Sequence, residues 1–140
     1  MIEDMQIDGR KMLCDAGLRP TRQRVSLAEL LFAQGDRHVT AEQLHEEALR
    51  CDMPVSLATV YNTLHQLTQA SLLREVAVEG CKTYFDTNTS NHFHFFSEAD
   101  GKLEDIPSGV IDIGDLPAPP EGMEISRVDV LVRLVNKDRA

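Results

Sequence analysis

Three stretches of this chain open on a capping residue and continue at helical spacing, and directly after the third the pattern switches to alternation. Thr21 precedes Val25, Ala28, Leu31 and Phe32, which fall on one face of a helix that ends near Gly35. Thr40 with Gln43 makes a capping box for a helix whose Ala41, Leu44 and Ala48 face inward until Asp52 and Pro54 stop it. Ser56 caps the next, with Leu57, Val60, Leu64 and Leu67 as its buried stripe and Ala58, Tyr61, Asn62, His65 and Gln69 on the opposite face. A weaker helical pattern from Asp8 to Ala16, closed by Gly17, comes before all of these.

From Leu72 to Val78 the residues alternate, Glu79-Gly80 turns, and Lys82 to Asp86 returns, which predicts a two-stranded hairpin. Helices joined by a short proline-containing turn and followed at once by a β-ribbon are the order a winged-helix DNA-binding domain requires. Beyond it, His92 to Ser97 and Lys102 to Ile106 read as short strands around the turn Glu98 to Gly101, and Ile125 to Val135 as a longer alternating one. Pro107 to Gly122 is expected to be an ordered connection with at most one short strand. The expected architecture is α+β: a winged-helix DNA-binding domain over residues 1–86, then a small α/β dimerisation domain over residues 87–140. So small a second unit exposes apolar strand surface unless two copies pair, so a homodimer is expected, presenting two recognition helices to a roughly palindromic DNA element.

Charge at first opposes nucleic-acid binding, because the formal net charge is −9. Its distribution answers the objection: residues 10–74 hold 8 bases and 7 acids, whereas residues 75–140 hold 6 bases and 13 acids. The first nine residues lack a basic start and an apolar run, and no stretch is long enough to cross a bilayer, so a cytoplasmic protein is expected. Cys14, Cys51 and Cys81 are odd in number and far apart, which fits reduced thiols rather than a disulfide framework or a Cys-x-x-Cys clip.

Arg19-Pro20-Thr21-Arg22-Gln23-Arg24, His38-Val39-Thr40-Ala41-Glu42-Gln43-Leu44 and Leu57-Ala58-Thr59-Val60-Tyr61-Asn62-Thr63-Leu64, with a wing ending in Gly80-Cys81-Lys82, together resemble the DNA-binding half of the ferric uptake regulator superfamily. The resemblance implies that Tyr61 packs its ring on a thymine methyl, and that Ser56, Thr59 and Asn62 touch phosphate or base edges. It matches Arg19 to a residue reaching toward the minor groove and Arg24 to a phosphate contact, although Arg24 equally fits a structural ion pair.

The second half departs from that family. Many members hold a structural zinc between Cys-x-x-Cys pairs, and the matching first pair here is Ser97 and Asp100, so no such zinc is expected. The family's second metal cluster is eroded as well, with Asn91 or Phe93 where histidine or carboxylate stands in relatives. What remains is His92-Phe93-His94, with His38, Asp86 and Asp105 at positions that match regulatory-site ligands. Residues i and i+2 of a strand share a face, which brings two imidazoles about 7 Å apart at Cα, and imidazoles with carboxylates suit one Fe, Mn or Zn ion.

Lacking the zinc cysteines and carrying a phenylalanine-flanked His-x-His, the chain resembles the iron response regulator (Irr) branch of α-proteobacteria. That resemblance implies DNA binding under iron limitation, repression of haem synthesis, and release when haem occupies His92 and His94. Alternation puts Phe93 and Phe95 on the face opposite the histidines, as core residues or as apolar surface for a porphyrin. The competing expectation is a repressor answering to one Mn(II) or Fe(II) ion. A metallohydrolase is a third reading of His-x-His with aspartates, but no further histidine follows His94, and no enzyme is expected.

Overall fold

The computed structural model describes residues 7–78, 82–90 and 92–137, and the chain divides into two compact units, Met1–Thr89 and Ser90–Ala140. In the first, α1 (Gly9–Asp15) starts where the Asp8 side chain accepts from the Lys11 amide, and it ends at Gly17, whose φ of 78° lets Leu18 N–H reach back to the Leu13 carbonyl. Gly9 permits a close approach to the second helix: a Cβ there would stand 2.7 Å from the Glu29 side chain, and the Gly9 amide donates to that carboxylate instead.

Helix α2 (Arg22–Phe32) is capped by Thr21, α3 (Ala41–Arg50) by the Thr40/Gln43 capping box, and α4 (Leu57–Gln69) by Ser56, as the sequence patterns require. Leu13, Leu27, Leu31, Val39, Leu44, Val60, Leu64, Leu67 and Phe85 interlock as one buried cluster. Each such side chain contributes about 1.5–3 kcal/mol on leaving water, and that burial sets the helices' relative packing.

Two expectations about α4 change. Leu57 is 37% exposed, because it is the first helical residue and Val55, just before the cap, fills the core position instead. Thr63 joins the buried face, and its hydroxyl is satisfied by the Thr59 carbonyl one turn back.

Strands β1 (His38–Val39), β2 (Arg74–Ala77) and β3 (Thr83–Asp86) form an antiparallel sheet in the order β1-β3-β2. The expected turn Glu79-Gly80 and Cys81 lie outside the described residues. His38 lies on β1 with its partner fixed by register as Asp86.

The second unit is a sheet of β4 (Phe93–Ser97), β5 (Lys102–Ile106) and β6 (Leu131–Leu134) in the order β5-β4-β6, with β4 antiparallel to β5 and parallel to β6. The strand expected over Ile125 to Val135 shrinks to four residues, because β4 offers parallel partners only along His94 to Ser97. Between Ile106 and Leu131 no helix or strand forms among the described residues, and Val110, Ile113, Leu116, Met123 and Ile125 are exposed. No helix is long and apolar enough to cross a membrane.

Candidate metal centre and nucleic-acid interface

At the end of β3 the Asp86 carboxylate is fully buried. A buried charge needs compensation, and its cross-strand neighbour supplies some: His38 Nε2 lies 3.1 Å from Asp86 Oδ2, while the Asn88 amide donates to Oδ1 at 2.9 Å.

In the second unit, strand alternation places His94 and Phe96 on a buried face, with His92 also buried just before the strand, while Phe93 and Phe95 are half-buried on the other face. His94 stands directly opposite Asp105 in the β4/β5 register. Asp105 Oδ1 is 3.0 Å from His92 Nε2 and 3.4 Å from His94 Nε2, and the two imidazole centroids are 4.5 Å apart. The other nitrogen of His92, Nδ1, is 2.7 Å from the Ser90 carbonyl.

A carbonyl oxygen only accepts, so Nδ1 carries the proton and donates to it. Nε2 is thereby turned toward the Asp105 carboxylate and His94, where it can serve as a metal ligand. A hydrogen bond that fixes one ring nitrogen and turns the other toward neighbouring ligands is the usual support of a metal-binding histidine. The donor set His92 Nε2, His94 Nε2 and Asp105 Oδ1, all within 4.8 Å of one another, fits a divalent first-row metal.

At Ser97 and Asp100 the serine hydroxyl donates to the carboxylate and holds its pKa below the ordinary value.

The residues expected at DNA lie around the start of α2 and along α4. Arg19 is exposed. Arg24 forms no ion pair among the described contacts; its Nη1 donates to the Arg19 carbonyl at 2.9 Å and so steadies the backbone that carries Arg19. The Ser56 hydroxyl accepts from the Thr59 amide and donates to the Thr59 hydroxyl, so both side chains serve the cap of α4, while Asn62 is exposed. Tyr61 is half-buried, and its hydroxyl donates to Glu42 Oε1 at 2.8 Å. Sequence reasoning missed Glu42, because no spacing rule links a residue of α3 to one nineteen positions later on α4. Ser90 was missed too, since it acts through its backbone carbonyl, which any residue type carries.

The profile of the ferric uptake regulator family matches residues 15–132. This chain belongs to the ferric uptake regulator family. Among relatives, the peroxide-responsive repressor PerR of Staphylococcus aureus is 35% identical over 95 residues, which make up 67% of this chain and 63% of that protein. The chain thus spans less than two thirds of the length of the curated relatives it matches. The ferric uptake regulator of Pseudomonas aeruginosa, solved with manganese, superposes with a TM-score of 0.70 at 22% identity over 94% of this chain and 99% of that one. The Vibrio cholerae ferric uptake regulator does so with a TM-score of 0.73 at 23% identity, over 92% and 100% of the two chains. These likenesses show the α+β fold of the family. Its members are transcriptional regulators and not enzymes, which removes the metallohydrolase reading.

Proposed function

We propose that this chain is a divalent-metal-responsive transcription regulator that works in the cytoplasm as a homodimer on promoter DNA. In this reading α4 enters the major groove with Tyr61 and Asn62 toward the bases, Ser56 and Thr59 lie at its phosphate-facing start, and Arg19, steadied by Arg24, reaches the adjacent backbone or minor groove. One Fe(II), Mn(II) or Zn(II) ion is held by His92, His94 and Asp105. When bound, the ion would supply positive charge opposite the Asp105 carboxylate. The chain's own residues do the rest: the Ser90 carbonyl orients the His92 ring and Asp105 spans both imidazoles. The observation that carries this reading is the convergence of His92 Nε2 and His94 Nε2 on one Asp105 carboxylate oxygen, at 3.0 and 3.4 Å.

Homodimer formation is supported by the exposed Val110, Met123, Ile125 and Val135 and by the open outer edge of β6, which a second copy would cover. Control of iron homeostasis and release by haem form a narrower version, supported by the resemblance to the iron response branch and by the half-buried Phe93 and Phe95 beside the histidines. Against it stand the burial of both imidazoles, 6% and 4% exposed, and the direction of both Nε2 atoms toward Asp105 rather than toward an open face.

The deciding experiment selects bound sequences from a random duplex pool with the metal-loaded full chain. Affinity for the selected duplex is then measured with chelator, with Mn(II) or Fe(II), and with hemin. Metal-dependent affinity that disappears in His92→Ala/His94→Ala supports the proposal. Affinity indifferent to metal but lost with hemin, together with a Soret shift, replaces it with the haem reading.

A further inference from the structure

Tyr61 is held at more points than a residue free to probe DNA requires. Its hydroxyl is engaged by Glu42, the second residue of α3. That helix start is itself immobilised: the Thr40 amide donates to Gln43 Oε1, the Gln43 amide donates to the Thr40 hydroxyl, and Ala41 and Leu44 are buried in the core. One turn further along α4, the His65 ring lies nearly parallel to the Tyr61 ring, with centroids 6.3 Å apart, and it meets the edge of the fully buried Phe85. The ring is therefore fixed by its own helix, by α3 through the hydroxyl, and by His65 alongside.

A carboxylate on a surface that meets phosphates weakens attraction to any duplex, whatever its sequence. A hydroxyl donating to that carboxylate has used its one proton, so what Tyr61 offers thymine, whose major-groove O4 only accepts, is its apolar ring. Only thymine presents a methyl group in the major groove. We propose that Glu42 is a positioning residue for base recognition: by holding the Tyr61 hydroxyl it sets the ring for contact with a thymine methyl, giving up some general DNA affinity for selectivity. This inference rests on the proposed DNA-binding function and names how its recognition helix discriminates.

The test uses the full chain and the duplex selected above, with each thymine in turn replaced by deoxyuridine, which lacks only the methyl. Losing contact with one methyl group should weaken wild-type binding about fourfold at one thymine of each half-site. Glu42→Ala should cut that penalty below about twofold while raising affinity for an unrelated duplex, because one negative charge is gone. Tyr61→Phe should lose the penalty likewise, whereas Glu42→Gln, which still accepts the hydrogen bond, should retain it. Thermal unfolding of each variant separates these effects from loss of fold. A Glu42→Ala protein that folds and keeps the fourfold penalty overturns the inference, and so does one that loses affinity for selected and unrelated duplexes in parallel. If selection enriches no sequence, the DNA-binding reading fails and this inference with it.

Discussion

Adding Mn(II) or Zn(II) to the chelator-treated chain should raise its melting temperature through His92, His94 and Asp105. The ligand atoms are already gathered, with both Nε2 atoms within 3.4 Å of one carboxylate oxygen and the His92 ring locked by Ser90, so little ordering remains to be done on binding. At a free ion concentration of about a hundred times Kd, one site that exists only in the folded state adds about 2.7 kcal/mol. For a chain of 140 residues that corresponds to a rise of about 8 °C. Asp105→Ala removes the acceptor shared by both imidazoles, which should lower the metal-free stability by about 1 kcal/mol and abolish most of the metal increment. Scanning calorimetry with and without the ion reads both effects. A rise of the same size in a His92→Ala/His94→Ala/Asp105→Ala protein would refute the assignment, since the stabilising ion would then sit elsewhere.

Thr40→Ala removes the hydroxyl that accepts from the Gln43 amide, one half of the capping box at the start of α3, and should cost about 1 kcal/mol, seen as a lower urea midpoint. The Tyr61 hydroxyl lowers the Glu42 pKa, so the folded value lies below the unfolded one and the bond's contribution is present above the unfolded glutamate value of about 4.3. That contribution should be lost as pH falls through the folded value. The stability difference between wild type and Tyr61→Phe should therefore be constant above about pH 5 and shrink at lower pH in urea titrations. Met123→Asp with Ile125→Asp places charge on the exposed apolar connection between β5 and β6 and should halve the mass in sedimentation equilibrium. An unchanged mass would exclude that segment from the dimer contact.

What could be read from the sequence was what chemistry only a few residues apart decides. Thr21, Thr40 and Ser56 announced their helices because a cap acts over three residues, and the capping box formed with the partners its spacing implies. Strand β1 was missed because two residues have no periodicity; His38 and Val39 become a strand only by pairing with Asp86 and Phe85 far along the chain. The length of β6 depended likewise on how much of β4 was free to pair, which the alternation beyond Val128 cannot express. Val55 displaced Leu57 from the core because the turn before α4 aims it inward, a tertiary decision made at the junction rather than along the helix stripe.

The same division runs through the candidate metal centre. His92 and His94 could be matched with Asp105 from a spacing of two and a family pattern, but the identity of the effector turns on which imidazole nitrogen bears the proton. That depends on the Ser90 carbonyl, and a backbone oxygen leaves no mark on residue type. With Nδ1 committed to Ser90, Nε2 is the one ligand atom His92 can offer, and it is turned toward the buried His94 imidazole and the Asp105 carboxylate. A porphyrin needs an axial nitrogen facing a slot wide enough for the macrocycle, whereas a bare ion needs converging donors and a counter-charge. Asp105 meets the second requirement and stands in the way of the first, so in the proposed function the side chain that would complete a metal-ligand set is also the one that would keep haem from the His-x-His pair.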